Sequence, residues 1–311
     1  MIRIKNITKK FGDNIALDNI NFEVKKGEVL GFLGPNGAGK STTMKIITSF
    51  WFPSSGNVKI DGLDAKKDSL KIREKIGYLP EIVPLYDDFL VYEYLKFVAE
   101  IRGVKKTQIK KRLRETIDLC GLNKVIKKPI DELSKGYRQR VGLAQSIIHN
   151  PDILILDEPT TGLDPNQISE IRSLIKKIGK EKTVIFSTHI LSEVQATCDR
   201  VIIINDGKIV GEGTPKELAD KLDRREIIYV KIKGDKEMVL KKFSEVENIE
   251  NVKVKDKEKS NIYGYEIESK EGVDLREYLS ILVVNSGWNI LEFTKKEVTL
   301  EDVFKELTKE K

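Results

Sequence analysis

The chain has 311 residues, of which 40% are hydrophobic and 33% are charged, and its formal net charge is +6. This length allows one large domain or two modest ones, each able to bury a core without a disulfide or a metal. The longest apolar runs, such as Val201–Ile204, are about four residues, whereas a membrane-spanning helix needs ~18. Composition therefore excludes a chain that crosses a bilayer. The charged residues within Met1–Asn6 argue against a secretory signal, so a cytoplasmic location is expected.

The positive excess lies in the first 220 residues and includes the basic run Lys105–Arg114. Such a surplus suits nucleic acid, anionic lipid or nucleotide phosphates, but in a chain rich in both Lys and Glu a solvated surface is favoured. The two cysteines, Cys120 and Cys198, form no CxxC pair. They predict two small core side chains in a reducing compartment, with neither a disulfide nor a zinc site.

Strand and helix patterns alternate along the first 220 residues. Strands are predicted over 2–8, 17–24, 28–33 and 57–61, then a helical block near 92–120, then strands 152–157, 183–187 and 200–204 with helices near 166–178 and 190–197. Strands that alternate with helices predict a parallel sheet covered on both faces.

Near Lys221–Arg225 the sequence changes to short, charged, alternating segments, and we place a domain boundary between residues 220 and 221. The elements predicted beyond it are strand 227–232, helix 236–243, strand 249–255, strand 262–268, helix 273–286, strand 288–294 and helix 299–309. The order βαββαβ predicts a small α+β domain of the ferredoxin-like type over 221–311.

A phosphate-binding loop is predicted at Gly34–Ser41, which fits GxxxxGK[ST] between the strand 28–33 and a helical run 42–48. Glycines let backbone N–H groups and a helix N-terminus approach phosphate oxygens. Lys40 is expected to neutralise the β and γ phosphates, and Ser41 to offer its hydroxyl to Mg²⁺. The predicted nucleotide-binding residues here are Gly34, Pro35, Asn36, Gly37, Ala38, Gly39, Lys40, Ser41 and Thr42.

Two carboxylates, Asp157 and Glu158, end the apolar strand that begins at Ile153. Parallel sheets present ligand-binding side chains at such strand ends. Asp157 is expected to hold Mg²⁺ through its water shell, and Glu158 to activate the water that attacks the γ-phosphorus. His189 follows another predicted strand and is expected at the γ-phosphate, whereas His149 is expected to be structural.

The stretch Leu133–Arg140, reading LSKGYRQR, resembles the LSGGQ signature of ABC-type ATPases. The resemblance covers residues 1–220 and implies a P-loop NTPase core with an antiparallel β subdomain and a helical subdomain over about 85–150. It also implies that Phe11 stacks on adenine and that Asp164 belongs to the loop after the catalytic carboxylate. Two such domains would face each other, so that the signature acts in trans on the nucleotide of the partner. The signature residues are Ser134, Lys135, Gly136 and Tyr137.

Two departures from the family pattern concern the signature and the segment after the strand that ends near Leu79. Lys135 replaces the first signature glycine and Tyr137 the final glutamine, so the clamp keeps Ser134 and Gly136 but gains a cation and an aromatic ring. Glu81 stands where the family has a glutamine. We expect this carboxylate to alter the Mg²⁺ environment and the coupling to a partner.

The tail Val298–Phe304 and the extra domain resemble the extension on ABC-2 type ATPases. The resemblance implies an ATP-binding and ATP-hydrolysing subunit that uses ATP and Mg²⁺ and drives a separate membrane permease, for export. It would act as a homodimer or pseudo-symmetric heterodimer, without nucleic acid, on the cytoplasmic face of the cell membrane through the permease.

Two other functions are weighed against this one. A soluble ABC-superfamily ATPase acting on ribosomes or nucleic acid could use the basic run Lys105–Arg114, but the chain lacks the second ATPase domain, long coiled coil or zinc motif of such relatives. A GTPase or small-molecule kinase is a further alternative. The nearest match to the guanine motif Asn-Lys-x-Asp is Asn205–Lys208, which does not fit. The sequence does not specify the cargo.

Overall fold

The computed structural model describes residues 2–222, 227–258, 261–270, 272–296 and 300–308. Within it the chain divides into two compact units, with the division after Pro215. The sequence change that marks the predicted domain boundary includes part of residues 223–226, which lie outside the described residues. The first unit has two hydrophobic clusters and the second unit has one of its own.

The first unit contains ten strands and seven complete helices among the described residues. In chain order they are β1 (Ile2–Phe11), β2 (Asn14–Val24), β3 (Val29–Leu33), α1 (Lys40–Ile47), β4 (Ser55–Ile60), β5 (Leu63–Asp64), α2 (Ser69–Lys75), β6 (Ile76–Leu79), α3 (Val91–Ile101), α4 (Lys106–Cys120), α5 (Lys135–Ile147), β7 (Ile153–Asp157), α6 (Pro165–Gly179), β8 (Thr183–Thr188), α7 (Leu191–Thr197), β9 (Arg200–Asn205) and β10 (Lys208–Gly213). The helix α8 (Pro215–Leu222) follows.

A six-stranded sheet with the order β10-β9-β3-β8-β7-β6 forms the centre of this unit. All of its pairings are parallel except that of the edge strand β10 with β9. The central strands β3 and β7 are buried at every residue, which explains their unbroken apolar sequences. Leu33 pairs with Thr188 and Asp157 with Ser187, so the carboxyl ends of three strands meet at one edge.

An antiparallel sheet with the order β2-β1-β4-β5 packs beside this centre, as the family resemblance implied. The strands β1 and β2 extend to Phe11 and from Asn14, beyond the predicted limits. Register shifts in their pairing interrupt the strict alternation of buried and exposed residues. Alternation alone therefore underestimated their length.

The helical block predicted over 92–120 is two helices, α3 and α4, separated by a turn at Gly103, whose φ is +73°. They pack with α5 through a core that includes Leu95, Leu113 and Val141. Cys120 is buried in this core and Cys198 packs against it, so both thiols are small apolar side chains as expected. Four short elements, β5, α2, β10 and α8, carry too little periodicity to have been recognised from sequence.

The second unit contains β11 (Ile227–Lys233), α9 (Lys236–Ser244), β12 (Ile249–Lys257), β13 (Ile262–Ser269), α10 (Arg276–Asn285), β14 (Asn289–Lys296) and α11 (Leu300–Leu307). The strand order β12-β13-β11-β14, with antiparallel pairing throughout, is that of a ferredoxin-like sheet. Its core includes Phe243 and Tyr265, whose rings meet edge to face. The predicted fold of this part is confirmed.

Two helix limits in the second unit differ from the prediction. The helix predicted over 273–286 begins at Arg276, because Asp274 Oδ1 accepts a hydrogen bond from the Arg276 backbone N–H (3.0 Å) and so forms a turn before the helix. The last helix begins at Leu300, and residues 297–299 and 309–311 lie outside the described residues. No helix in the described ranges is both long and apolar enough to cross a bilayer.

Candidate active site

The phosphate loop joins β3 to α1 and folds tightly because of its glycines. Gly37 and Gly39 have φ values of +82° and +106°, in the left-handed region that favours glycine. A Cβ on Gly34 would lie 2.4 Å from the Ile204 carbonyl oxygen, and one on Gly39 would lie 2.7 Å from a Leu17 methyl group. Side chains at these positions would push the loop away from the sheet and from any anion it holds.

Lys40 begins α1 and is almost fully buried. Its Nζ donates hydrogen bonds to the carbonyls of Gly34 (2.7 Å) and Pro35 (3.1 Å), and it lies 3.2 Å from Glu158 Oε1. The ammonium group is thus held inside the loop by the loop's own backbone. A cation in this position faces the space that the loop amides enclose, which is the requirement for neutralising a phosphate.

Asp157 connects the end of β7 to the phosphate loop and to β8. Its Oδ1 accepts hydrogen bonds from Ser41 Oγ (3.1 Å) and from Ser187 Oγ (2.6 Å). Burial raises the pKa of Asp157, the two serine hydroxyls oppose this effect, and the charge of Glu158 adds to it. A carboxylate whose charge is disfavoured in this way is stabilised by a nearby cation.

Ser41 and Asp157 are the residues that could hold Mg²⁺. Hydroxyl and carboxylate oxygens are the ligands that Mg²⁺ prefers, and the raised pKa of Asp157 indicates a place where positive charge is favoured. No cluster of three or more His, Cys, Asp or Glu side chains suited to a metal occurs in the described part of the chain. A Mg²⁺ ion here would therefore depend on nucleotide phosphates and water for most of its ligands, as Mg²⁺ sites commonly do.

Glu158 lies one residue beyond Asp157 and is also buried. Its φ of +48° is unusual for a residue other than glycine and turns the chain sharply at the strand end. Oε2 accepts a hydrogen bond from Thr161 Oγ1 (3.3 Å) and lies 2.9 Å from His189 Nδ1. Because the partner is a carboxylate, His189 donates through Nδ1–H. His189 and Lys40 thus orient the carboxylate that was predicted to activate water.

The signature residues lie at the start of α5. Ser134 caps this helix, and its Oγ accepts a hydrogen bond from the Tyr137 backbone N–H (3.4 Å). Gly136 is buried so closely against α6 that a Cβ would lie 2.6 Å from the Gln167 side chain. Ser134, Gly136 and Tyr137 line a cavity of about 400 Å³, while the Tyr137 ring also packs on the helical core.

Lys135 occupies space that Gly162 leaves free. A Cβ on Gly162, whose φ is +72°, would lie 1.9 Å from Lys135 Nζ. Asp164, two residues further on, caps α6 by accepting a hydrogen bond from the Gln167 backbone N–H (3.0 Å). The signature therefore contacts the loop 161–164 of its own chain through Lys135, in addition to any role in trans.

Two further predicted site residues, Phe11 and Glu81, are connected less directly to the phosphate loop and the two carboxylates. Phe11 ends β1 with 43% of its surface exposed, and its ring meets Trp51 edge to face at 5.1 Å. Glu81 is exposed just beyond β6. Burial raises the pKa of Tyr78, and the charges of Asp157 and Glu81 add to the effect.

Two polar residues that the sequence analysis missed connect parts of this site. Ser187 Oγ donates to Asp157 and accepts from the Glu158 backbone N–H (3.0 Å). Gln139 Nε2 donates to the Pro159 carbonyl (2.8 Å), which links α5 to the segment after Glu158. Polar residues at the end of a buried strand could have pointed to Ser187, but Gln139 gives no such signal because its partner is distant in sequence.

Comparison with known proteins agrees with this geometry. A family model described as ABC transporter matches residues 17–161, and one described as the C-terminal domain of ATP-binding proteins like DrrA1-3 matches residues 213–308. The linearmycin resistance ATP-binding protein LnrL of Bacillus subtilis is 33% identical over 99% of this chain and 98% of its own. The bacitracin transport ATP-binding protein BcrA of Bacillus licheniformis is 34% identical over 99% of this chain and 97% of its own.

The chain belongs to the family of ABC transporter ATP-binding subunits. Two solved structures support this at the level of the fold. The ATP-binding cassette MJ0796, in a dimer described as a post-hydrolysis state bound to ADP and Pi, matches 69% of this chain and 98% of its own with a TM-score of 0.64 at 30% identity. The cassette cbiO1 of Clostridium perfringens matches 71% of this chain and 91% of its own with a TM-score of 0.65 at 33% identity.

This ABC subunit is accordingly an ATPase that uses ATP and Mg²⁺, with a P-loop core and an additional C-terminal unit. Subunits of this family dimerise, as the MJ0796 cassette does, and work with a membrane permease. The individual roles of the site residues and the boundary between residues 220 and 221 remain predictions.

Proposed function

We propose that this subunit hydrolyses ATP to drive export through a permease carried on a separate chain. The observation that carries the proposal is the cluster in which Lys40, Asp157 and Glu158 meet at one edge of the parallel sheet. The direction of transport is supported by the names of its full-length relatives, which refer to linearmycin resistance and to bacitracin transport.

ATP binding is assigned to the phosphate loop together with Lys40 and Ser41. The Lys40 ammonium group donates hydrogen bonds to the carbonyls of Gly34 and Pro35. When ATP binds, this ammonium group would donate to the γ-phosphate instead. Mg²⁺, when bound, would screen the phosphate charge, and Ser41 and Asp157 are the residues that would hold it. Phe11 is assigned to adenine stacking, because its exposed ring ends β1 and is available to a base.

Water activation is assigned to Glu158. Its buried carboxylate has His189 on one oxygen and Lys40 near the other, so its orientation is restricted before a substrate arrives. A carboxylate held in this way accepts a proton from water as the oxygen attacks the γ-phosphorus. His189, with 43% of its side chain exposed, is assigned to hold the γ-phosphate and to position Glu158.

The dimer is proposed to place the signature of one subunit on the nucleotide of the other. The α5 N-terminus with the Ser134 hydroxyl is a suitable anion site, because amide N–H groups and the helix dipole point the same way. The cavity of about 400 Å³ beside Ser134 and Gly136 gives the space for a γ-phosphate. Two identical chains satisfy this arrangement, and so does a pair of this chain with a related one.

The permease contact is proposed at an apolar groove beside Glu81. The groove has a volume of about 530 Å³, and its lining includes Phe50, Ile82, Tyr86 and Phe97. Phe50 and Ile82 are 68% and 85% exposed, which is unusual for large apolar side chains without a partner. The groove includes Tyr78 of β6, next to the Asp157 charge, so a permease segment bound here would lie near the ATP site.

The experiment is an affinity purification from detergent-solubilised native membranes with tagged Glu158→Gln protein and MgATP. Slow hydrolysis should hold the variant in its nucleotide-bound dimer, so we expect one stoichiometric membrane protein with several spans. Glu74→Gln, on an exposed residue of α2, is the matched control for the loss of one carboxylate and should give a weaker yield. Recovery of ribosomal proteins, or of no membrane protein, would contradict a transport role.

A further inference from the structure

A second cavity, of about 570 Å³, lies in the helical part of the first unit, between the connection from α3 to α4, the first half of α4 and the residues after α5. His149, in its wall, is bonded through Nε2 to the carbonyl of Ile76 (3.2 Å), the first residue of β6. Asp157 and Glu158 lie at the opposite, carboxyl-terminal edge of the same sheet. The cavity is therefore separate from the nucleotide site.

The charges of the cavity walls do not balance. Four cations, Arg102, Lys105, Lys111 and Arg112, line it, and Glu115 is the one carboxylate among its lining residues. No carboxylate in the described ranges lies within ion-pair distance of Arg102 or Lys105. Clefts lined by charge of one sign concentrate the field, which attracts ligands of the opposite sign.

Glu115 and Arg112 are already used by the fold. Arg112 donates to the carbonyls of Ile147 (2.9 Å) and Ile148 (3.1 Å), where it closes the end of α5, and it pairs with Glu115 at 2.7 Å. Arg102 has a single weak bond, to the Arg73 carbonyl at 3.3 Å. Lys111 Nζ also lies 3.9 Å from Glu115 Oε1, so Arg102 and Lys105 are the two cations of the cavity wall that remain available to a ligand.

The start of α4 adds to this excess. Lys105 occupies the cap position, where it forms no side-chain cap hydrogen bond, and the first turn of α4 contains no acidic residue. Helix N-termini carry partial positive charge and usually have Asp, Glu or a capping oxygen nearby. Here Lys105 and Lys106 repel that partial charge instead. An anion between Arg102 and the first turn of α4 would offset both the unbalanced charge of Arg102 and the repulsion at the start of the helix.

We propose that this cavity binds a phosphate-bearing anion with two or more negative charges, held by Arg102, Lys105 and the first turn of α4. Guanidinium groups bind phosphate through two parallel hydrogen bonds, and amide groups at a helix start bind it as well. The anion is either a soluble phosphate compound or a lipid headgroup, since both present the same chemistry. The basic run that begins at Lys105 then has a specific function rather than only a solvated surface.

His149 reports on occupancy of the cavity. Its Nε2–H donates to the Ile76 carbonyl, and burial, with the charges of Arg102, Lys182 and Arg112, lowers its pKa to about 4, although the bond to Ile76 opposes this shift. An anion beside Arg102 and Arg112 offsets their charges and so favours protonated His149. Binding should therefore raise the pKa of His149.

The test is calorimetric titration with inorganic pyrophosphate, in Lys40→Ala protein so that the phosphate loop does not compete. We expect saturable binding that weakens with salt, and about a tenfold or greater loss of affinity in Arg102→Gln/Lys105→Gln, since hydrogen bonds to charged groups contribute about that much each. Lys96→Gln/Lys110→Gln, on α3 and α4 but outside the cavity, is the charge-matched control and should bind normally. The titration is repeated in the parent chain saturated with ADP, so that the result does not depend on correct folding of the Lys40→Ala variant.

Three outcomes are informative. Competition by phosphatidic acid vesicles, whose phosphomonoester headgroup can carry two negative charges, but not by phosphatidylcholine vesicles, supports a lipid headgroup as the source, and its absence supports a soluble anion. Equal weakening by both double variants would overturn the proposal, because it would show diffuse attraction to surface charge. An unchanged His149 titration by NMR at saturating pyrophosphate would also overturn it, because the anion would then lie elsewhere.

Discussion

Asp157 and Glu158 are adjacent carboxylates whose surroundings separate their tasks. Asp157 accepts hydrogen bonds from two serine hydroxyls and is the carboxylate assigned to Mg²⁺, whereas Glu158 contacts Lys40 and His189. The chain turns sharply at Glu158, whose φ is +48°. The proposed roles in metal binding and water activation would thus fall on two adjacent residues at the end of β7.

Ser187→Ala tests how the hydrogen bond from Ser187 affects the pKa of Asp157. The change removes a hydrogen bond that lowers the Asp157 pKa, so this pKa should rise further and the acid limb of the ATPase pH profile should move to higher pH. The acid limb moves in this direction because activity requires ionised Asp157 and is lost as the pH falls through the pKa of Asp157. We expect about a tenfold lower kcat at neutral pH, consistent with one lost hydrogen bond to a charged group.

The pH profile of Ser173→Ala provides the control for Ser187→Ala. Ser173 lies on the exposed face of α6 and bonds only within its helix, so its profile should match that of the parent. Should Ser187→Ala give the same acid limb as Ser173→Ala, the assigned role of Ser187 would be wrong.

At the scale of elements, the close contact of β6 with α5 determines where Glu81 lies. A Cβ on Gly77 would lie 2.0 Å from the Ser146 backbone oxygen, so the strand can approach the helix only through a glycine. Glu81 follows two residues after this strand ends. The packing of β6 on α5 thus positions the segment assigned to the permease contact.

Gly77→Ala should therefore destabilise the first unit by about 1–3 kcal/mol or more, because backbone rather than a flexible side chain must move. Chemical denaturation measures this change. Gly62→Ala is the comparison, since Gly62 has a φ of +84° but open space around its Cβ position, and strain alone costs about 1–2 kcal/mol there. A smaller loss in Gly77→Ala than in Gly62→Ala would contradict the contact.

Long periodic elements and local motifs were predictable from sequence, whereas contacts across the fold were not. The phosphate loop and the strand before Asp157 depend on neighbouring residues, so their patterns were clear. The Gln139 bond to Pro159 and the placement of Lys135 against Gly162 join segments that are 20 or more residues apart. Only the packing of α5 against its neighbours reveals such contacts.

At the scale of the whole molecule, the two units have separate cores. The clusters of the first unit end at Ile204, and that of the second begins at Ile228. Each core is large enough to predict cooperative unfolding of its own unit.

Phe243→Ala should destabilise the second unit by about 3–5 kcal/mol, since this ring is fully buried against Tyr265. Hydrogen exchange should then increase across β11 and β13, while β3 and β7 keep their protection and MgATP still stabilises the first unit. Comparable losses of protection in β3 would show that the two units unfold together.

The central claim is that Glu158 activates the water that cleaves ATP between two subunits. Its most direct test is single-turnover hydrolysis by Glu158→Gln, with the mass of the MgATP-bound protein measured by light scattering. We predict retained MgATP binding, at least about a 100-fold slower cleavage as expected for loss of a general base, and a stable dimer. Cleavage at the parental rate would contradict the claim, because water activation would then lie with another residue.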